Sequence, residues 1–270
     1  MNSESSSQSR DAVRMPVGFV GHGAPTLAMD GAKGTELRAW GASLPEPRAV
    51  LVVSAHWEQT PATLGPTRAV PLIYDFYGFP PELYRLRYSA PAAPELADRV
   101  ADLLPDVRLE TDRGLDHGAW VPLRWILPEA RVPVIQLSIP SHDPRELHRI
   151  GRRLAPLRDE GVFILGSGNV VHNLRQIARS GDEPTPAWAA DFDQWLVEAL
   201  GRGDVDSLLD WESRAPAARI AHPTVEHFVP IHVALGAAGD DLSRLHYPIT
   251  GFEHASISRR SLSWGQDRRA

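Results

Sequence analysis

The chain has 270 residues, 43% of them hydrophobic, enough to bury a sizeable core in one large domain or two small ones. It contains no cysteine, which excludes disulfides and thiolate-held metals, so a metal would have to sit on imidazole, carboxylate or carbonyl oxygen, donors that suit iron or zinc. A formal net charge of −6 leaves no basic footprint for nucleic acid, and no apolar run approaches the roughly 20 residues of a membrane span.

Residues 1–14 are rich in serine and charge and lack the apolar centre of a secretory leader; a disordered tail on a cytoplasmic protein is expected. An apolar strand then spans residues 17–20 and stops at Gly21-His22-Gly23, where glycines allow a sharp turn and close approach. Residues 32–43 read as a helix. Residues 49–54 read as a second strand, again followed by small residues and a histidine (Ser54-Ala55-His56-Trp57). Both runs are continuously apolar, as in strands covered on two faces, and strand–helix–strand is a βαβ unit.

The stretch 71–84 packs Ile73-Tyr74-Asp75-Phe76-Tyr77-Gly78-Phe79-Pro80-Pro81 without clean periodicity. It reads either as a loop stapled by its own rings or as an aromatic wall over a pocket. Helical spacing follows at 93–104. Next comes Asp116-His117-Gly118-Ala119-Trp120, a loop leading into a helix that ends near 126. A strand at 132–139 and a helix at 144–157 precede a buried strand at 161–165. That strand runs into Gly166-Ser167-Gly168-Asn169-Val170-Val171-His172-Asn173. Helices are expected at 188–200, 204–209 and 212–218. Residues 221–230 open an apolar helix to about 238, and strands at 245–249 and 255–258 close the chain. No linker divides residues 15–270. The expected fold is a single α/β domain with a mostly parallel or mixed sheet flanked by helices.

Of 11 histidines, His142, His148, His246 and His254 lie among polar residues and read as surface groups. His232, in an apolar helix, reads as a core residue satisfied by hydrogen bonds. Singly, a histidine after a strand needs no special role. His22, His56 and His172, however, each follow an apolar strand, and in open α/β sheets the ligand crevice lies at the carboxyl ends of the strands. His117 and His227, beside helix starts, can join them. Imidazoles alone, or with a carboxylate, can hold a divalent ion. Glu226 is the available carboxylate, but neighbours on a helix point about 100° apart, so one of Glu226 and His227 is ligand and the other orients it. Spacing does not choose between them. Asp116 and Asn173 are further candidates for orienting a ligand.

Five segments together resemble the 4,5-DOPA extradiol dioxygenase family, within the class III extradiol ring-cleavage dioxygenases. They are Gly21-His22-Gly23-Ala24-Pro25, Ser54-Ala55-His56-Trp57, Asp116-His117-Gly118-Ala119-Trp120-Val121-Pro122-Leu123, Gly166-Ser167-Gly168-Asn169-Val170-Val171-His172-Asn173-Leu174 and His222-Pro223-Thr224-Val225-Glu226-His227-Phe228. The resemblance implies a non-haem Fe(II) enzyme, often found with zinc, acting on a DOPA-like catechol and dioxygen. It implies that His22, His56 and His227 hold the metal and that His172 faces its open side, as a fourth ligand to zinc or as acid/base. His117 would be a second acid/base or a substrate anchor. The expected protein is a monomer or small homo-oligomer that binds neither nucleic acid nor membrane. A zinc hydrolase and a non-catalytic binding protein on the same scaffold are the competing readings.

Overall fold

The computed structural model describes residues 14–178 and 183–266. The expected disordered tail lies outside them up to residue 13; Arg14 is described and pairs with Asp159 at 3.0 Å.

The strands are β1 (Val17–Gly21), β2 (Ala49–Glu58), β3 (Thr63–Leu64), β4 (Arg108–Leu109), β5 (Val134–Ile139), β6 (Val162–Gly168), β7 (Leu245–Ile249), β8 (Phe252–Glu253), β9 (Ile257–Ser258) and β10 (Ser261–Trp264). All but β8 and β9 join one sheet in the order β4-β3-β5-β2-β6-β1-β10-β7. Its centre is parallel: β5, β2, β6 and β1 run the same way. The sheet is mixed because β3 pairs with β5, and β10 with β1 and β7, antiparallel. The first two strands and their helix form a wider unit than expected, since β6 lies between β1 and β2.

The helices are α1 (Gly31–Ser43), α2 (Pro94–Leu103), α3 (His117–Ile126), α4 (Pro144–Leu154), α5 (Ala187–Gly201), α6 (Val205–Leu209), α7 (Trp211–Arg214), α8 (Ala218–Ala221) and α9 (Pro230–Ala238). Aspartates start four of them: Asp30, Asp116, Asp143 and Asp204 accept from the backbone N–H of Lys33, Ala119, Arg145 and Ser207. Alternate side chains of the central strands feed two cores, as a period of two requires. Val17, Phe19, Leu51, Val53 and Ile164 pack with α4, α5 and α9. Val20, Val50, Val52, Phe163 and Leu165 pack with α1 and α3. No helix among the described residues is long and apolar enough to cross a membrane.

Several expected elements differ. The helix expected to open at 221–230 starts only at Pro230, so Glu226 and His227 lie in turns before it. The expected helix at 212–218 is two short pieces, α7 and α8. The last expected strand shrinks to β9, in a hairpin with β8 outside the main sheet, and β10 takes the place beside β1. His142 and His254 are exposed, but His148 and His246 are half-buried. His232 is fully buried with both ring nitrogens unpartnered, not satisfied as expected.

Candidate metal centre

The three central strands β2, β6 and β1 end at one rim. His22 follows β1, its backbone N–H donating to the Gly168 carbonyl of β6 at 2.9 Å. His56 stands on β2 past its last paired residue with β6, Ser54. His172 follows β6, and His227 approaches from the turn before α9. One nitrogen each of His22, His56 and His227 lie within 4.8 Å of one another. His227 stacks on His172 with ring centres 3.5 Å apart and planes 9° from parallel. His117, the first residue of α3, completes the cluster with its ring 4.0 Å from that of His56. All five predicted histidines therefore meet at the carboxyl rim of the sheet.

Two glycines make room. A Cβ on Gly168 would stand 2.0 Å from the His227 carbonyl oxygen, and one on Gly118 would stand 2.4 Å from Ser54 Oγ and 2.9 Å from His56 Cδ2. The backbone reaches this close only without side chains.

Hydrogen bonds decide which nitrogens are free. Ser167 Oγ donates to the Gly118 carbonyl at 2.5 Å and lies 3.0 Å from His22 Nδ1. Its one proton is used, so it accepts from His22 Nδ1–H and leaves Nε2 with its lone pair. Glu226 Oε1 lies 2.9 Å from His227 Nδ1, which puts the proton there and frees that Nε2 in turn. His56 Nε2 is 3.1 Å from His22 Nε2, and its Nδ1 faces Asp75 Oδ2 at 3.7 Å. Asp75 Oδ1 is 2.9 Å from His117 Nδ1, without the straight alignment of a full hydrogen bond, and accepts the His117 backbone N–H at 3.0 Å.

The electrostatics suit metal binding. Burial, reinforced by the neighbouring imidazoles, holds His22 and His227 well below the usual histidine range. His56 and His172 are lowered to about 4, chiefly by burial. The rings are therefore neutral at pH 7, the state that donates a lone pair. Burial pushes Asp75 up, but its contacts with the His117 ring and backbone N–H outweigh it and hold the carboxyl below its ordinary range. Two neutral nitrogens facing at 3.1 Å repel unless a proton or a cation lies between or beside them. An ion about 2.0–2.1 Å from both would subtend about 100°, close to a tetrahedral or octahedral angle. The donor set fits a borderline divalent metal.

The orienting groups were only partly foreseen. Asp116 bonds to Ser54 Oγ, Gln136 and the N-terminus of α3, and Asn173 bonds to Ile220 and Arg175 backbone, so neither holds an imidazole. Ser167 and Glu226 do, and Asp75 lies beside the rings of His117 and His56. Asp75 had one visible signal, as the only charged residue in an aromatic and proline run. The aromatic stretch is a loop stapled by its own rings, one of which reaches the histidine cluster. Tyr74, Phe76, Phe79 and Tyr84 pack on each other, and Phe76 also reaches the edge of His117 at 5.6 Å. Tyr77 is 92% exposed and belongs to neither role.

Comparison with known proteins agrees with this geometry. The family described as the catalytic LigB subunit of aromatic ring-opening dioxygenase matches residues 26–259. The chain is 45% identical over 233 residues to a 4,5-DOPA dioxygenase extradiol from Beta vulgaris, covering 83% of this chain and 87% of that one. It is 38% identical over 267 residues to the Escherichia coli (strain K12) protein of the same name, covering 94% and 96%. The crystal structure of uncharacterized protein JW3007 from Escherichia coli K12 superposes with a TM-score of 0.79 at 35% identity, covering 93% of this chain and 100% of that one. The chain is an enzyme of the aromatic ring-opening dioxygenase family, in its extradiol branch with the 4,5-DOPA dioxygenases.

Proposed function

We propose that this dioxygenase opens the ring of a catechol, a DOPA-like 3,4-dihydroxyphenyl compound, outside its two hydroxyls, inserting both atoms of dioxygen. In this reading His22, His56 and His227 hold one Fe(II) ion. The observation that carries the reading is the convergence of these three imidazoles, each from a different part of the chain, within 4.8 Å. Their partners Ser167 and Glu226 keep the Nε2 lone pairs of His22 and His227 inward. When bound, Fe(II) would supply the Lewis acidity that acidifies a catechol and the redox activity that dioxygen, a triplet, needs to react.

The protein's own groups do the rest. His172 is half-buried and neutral, and it is our first choice for taking a proton from a catechol hydroxyl and returning one later. Glu226, in the same group as His172 and His227, favours a positive charge on the ring while the proton is held. His117 is the second such group; with Nδ1 beside Asp75, its Nε2 is free to accept a hydrogen bond from substrate. Phe76 covers one side of His117 with an apolar edge and keeps water from it.

Zinc suits the same imidazoles, so purified protein is expected to carry zinc unless loaded with iron. We take the enzyme to be cytoplasmic and to work as a monomer or small homo-oligomer, without nucleic acid. Anaerobic loading with Fe(II), then oxygen uptake across a panel of catechols, tests the reading. Consumption of oxygen with a new absorbance from the opened ring supports it. Bound iron with no uptake on any catechol overturns it.

A further inference from the structure

We infer that Asp75 is a positioning residue that sets two imidazoles at once, the metal-side His56 and the substrate-side His117. The inference rests on the dioxygenase reading for its kinetic part only.

The loop carrying Asp75 is braced from several sides. The Ile73 N–H donates to the Leu115 carbonyl at 2.9 Å, Trp120 Nε1–H donates to the Ile73 carbonyl at 3.1 Å, and Tyr74 O–H donates to the Leu86 carbonyl at 2.6 Å. The bracing delivers a single carboxylate to the rim of the sheet. Oδ1 accepts the His117 backbone N–H at 3.0 Å and lies 2.9 Å from His117 Nδ1, while Oδ2 lies 3.7 Å from His56 Nδ1. Neither ring contact is a full hydrogen bond, but a carboxylate only accepts, and its negative charge beside both Nδ1 atoms favours N–H there. Both Nε2 atoms then keep their lone pairs. For His56 that lone pair meets His22 Nε2 at 3.1 Å, and for His117 it is left for substrate. Without the carboxylate each ring is free to exchange tautomers, and each then offers the wrong face part of the time.

Asp75→Asn keeps the shape and removes the charge, and Asp75→Ala removes both. In zinc-loaded protein, imidazole nitrogen NMR reads the tautomers directly, and chelator competition reads zinc affinity. With zinc on His56 Nε2 fixing that ring's proton, Asp75→Asn is expected to mix the His117 tautomers and to weaken zinc about 10- to 100-fold. With Fe(II) and a catechol, Asp75→Ala should lower kcat far less in a His117→Ala background than alone, because both changes disable the same group. A bracing role alone would give losses that multiply. Unchanged tautomers and zinc affinity in a folded Asp75→Asn protein overturn the inference, as do multiplying losses. If the parent enzyme turns over no catechol, the proposed function fails, while the NMR and zinc readings still decide the role of Asp75.

Discussion

Replacing Ser167 by alanine removes one oxygen atom and tests how the rim chooses its nitrogens. Ser167 is fully buried on β6, in register with Val20 of β1 and Ser54 of β2, so solvent does not replace its hydroxyl easily. The lost atom bonds both the Gly118 carbonyl and His22 Nδ1. Each of these groups is left buried and unpaired, at a cost of about 1–3 kcal/mol apiece if nothing relaxes. His22 also loses the bond that holds its proton on Nδ1. Orienting partners of this kind are worth about 10- to 100-fold in metal affinity, or about 1.4–2.8 kcal/mol. We therefore expect Ser167→Ala to fold with a lowered unfolding midpoint and to bind zinc about 10- to 100-fold more weakly in chelator competition. A folded variant with parental zinc affinity would refute the claim that Ser167 selects the His22 tautomer.

His172→Ala should keep bound metal and lose about 10²–10⁴ in turnover, the usual worth of a general acid–base group; near-parental rates in an iron-loaded sample exclude the role. Gly118→Ala forces a Cβ to within 2.4 Å of Ser54 Oγ and 2.9 Å of His56 Cδ2. It should cost about 1–3 kcal/mol of overpacking and lower metal content, both read on one purified sample by thermal unfolding and elemental analysis. His232, in the first turn of α9 and fully buried, supplies a pH test of the core. Burial first, then the charge of His148, lowers it to about 3 from 6.5. Its folded value lies below its unfolded one, so stability is retained above about 6.5 and lost as pH falls toward 3. From pH 7 to pH 5 the loss is about 2 kcal/mol. His232→Leu should flatten denaturant-measured stability over that range by this amount, and an unchanged slope would contradict the burial argument.

Much of the rim was legible because a parallel sheet turns a sequence pattern into a place. Apolar runs ending in small residues and then a histidine at His22, His56 and His172 are three strand ends, and strand ends in one parallel sheet share an edge. His227 was a candidate by its place beside a helix start, but only the family resemblance chose it over Glu226, since nothing in its spacing separates the two. The turn before α9 was misread as helix, although Pro230, which lacks an N–H, suits a first helical residue and marked the true start. β10 escaped because Ser261-Leu262-Ser263-Trp264 is short and half serine, a strand only through pairing with β1 and β7. Ser167 and Asp75 acquire meaning from contacts 145 and 42 residues away, to His22 and His117. No local pattern records such distances, whereas an aspartate cap such as Asp143 on α4 acts within a single turn.

The central claim is that imidazoles remote in sequence hold one ion at the rim of the sheet. Crystals grown with zinc, and mapped by anomalous scattering at the zinc edge, test it most directly. The account predicts a single strong peak within bonding distance, about 2.0–2.1 Å, of His22 Nε2, His56 Nε2 and His227 Nε2. A peak held instead by Glu226 without His22 and His56, or none at the rim at full zinc loading, would contradict it.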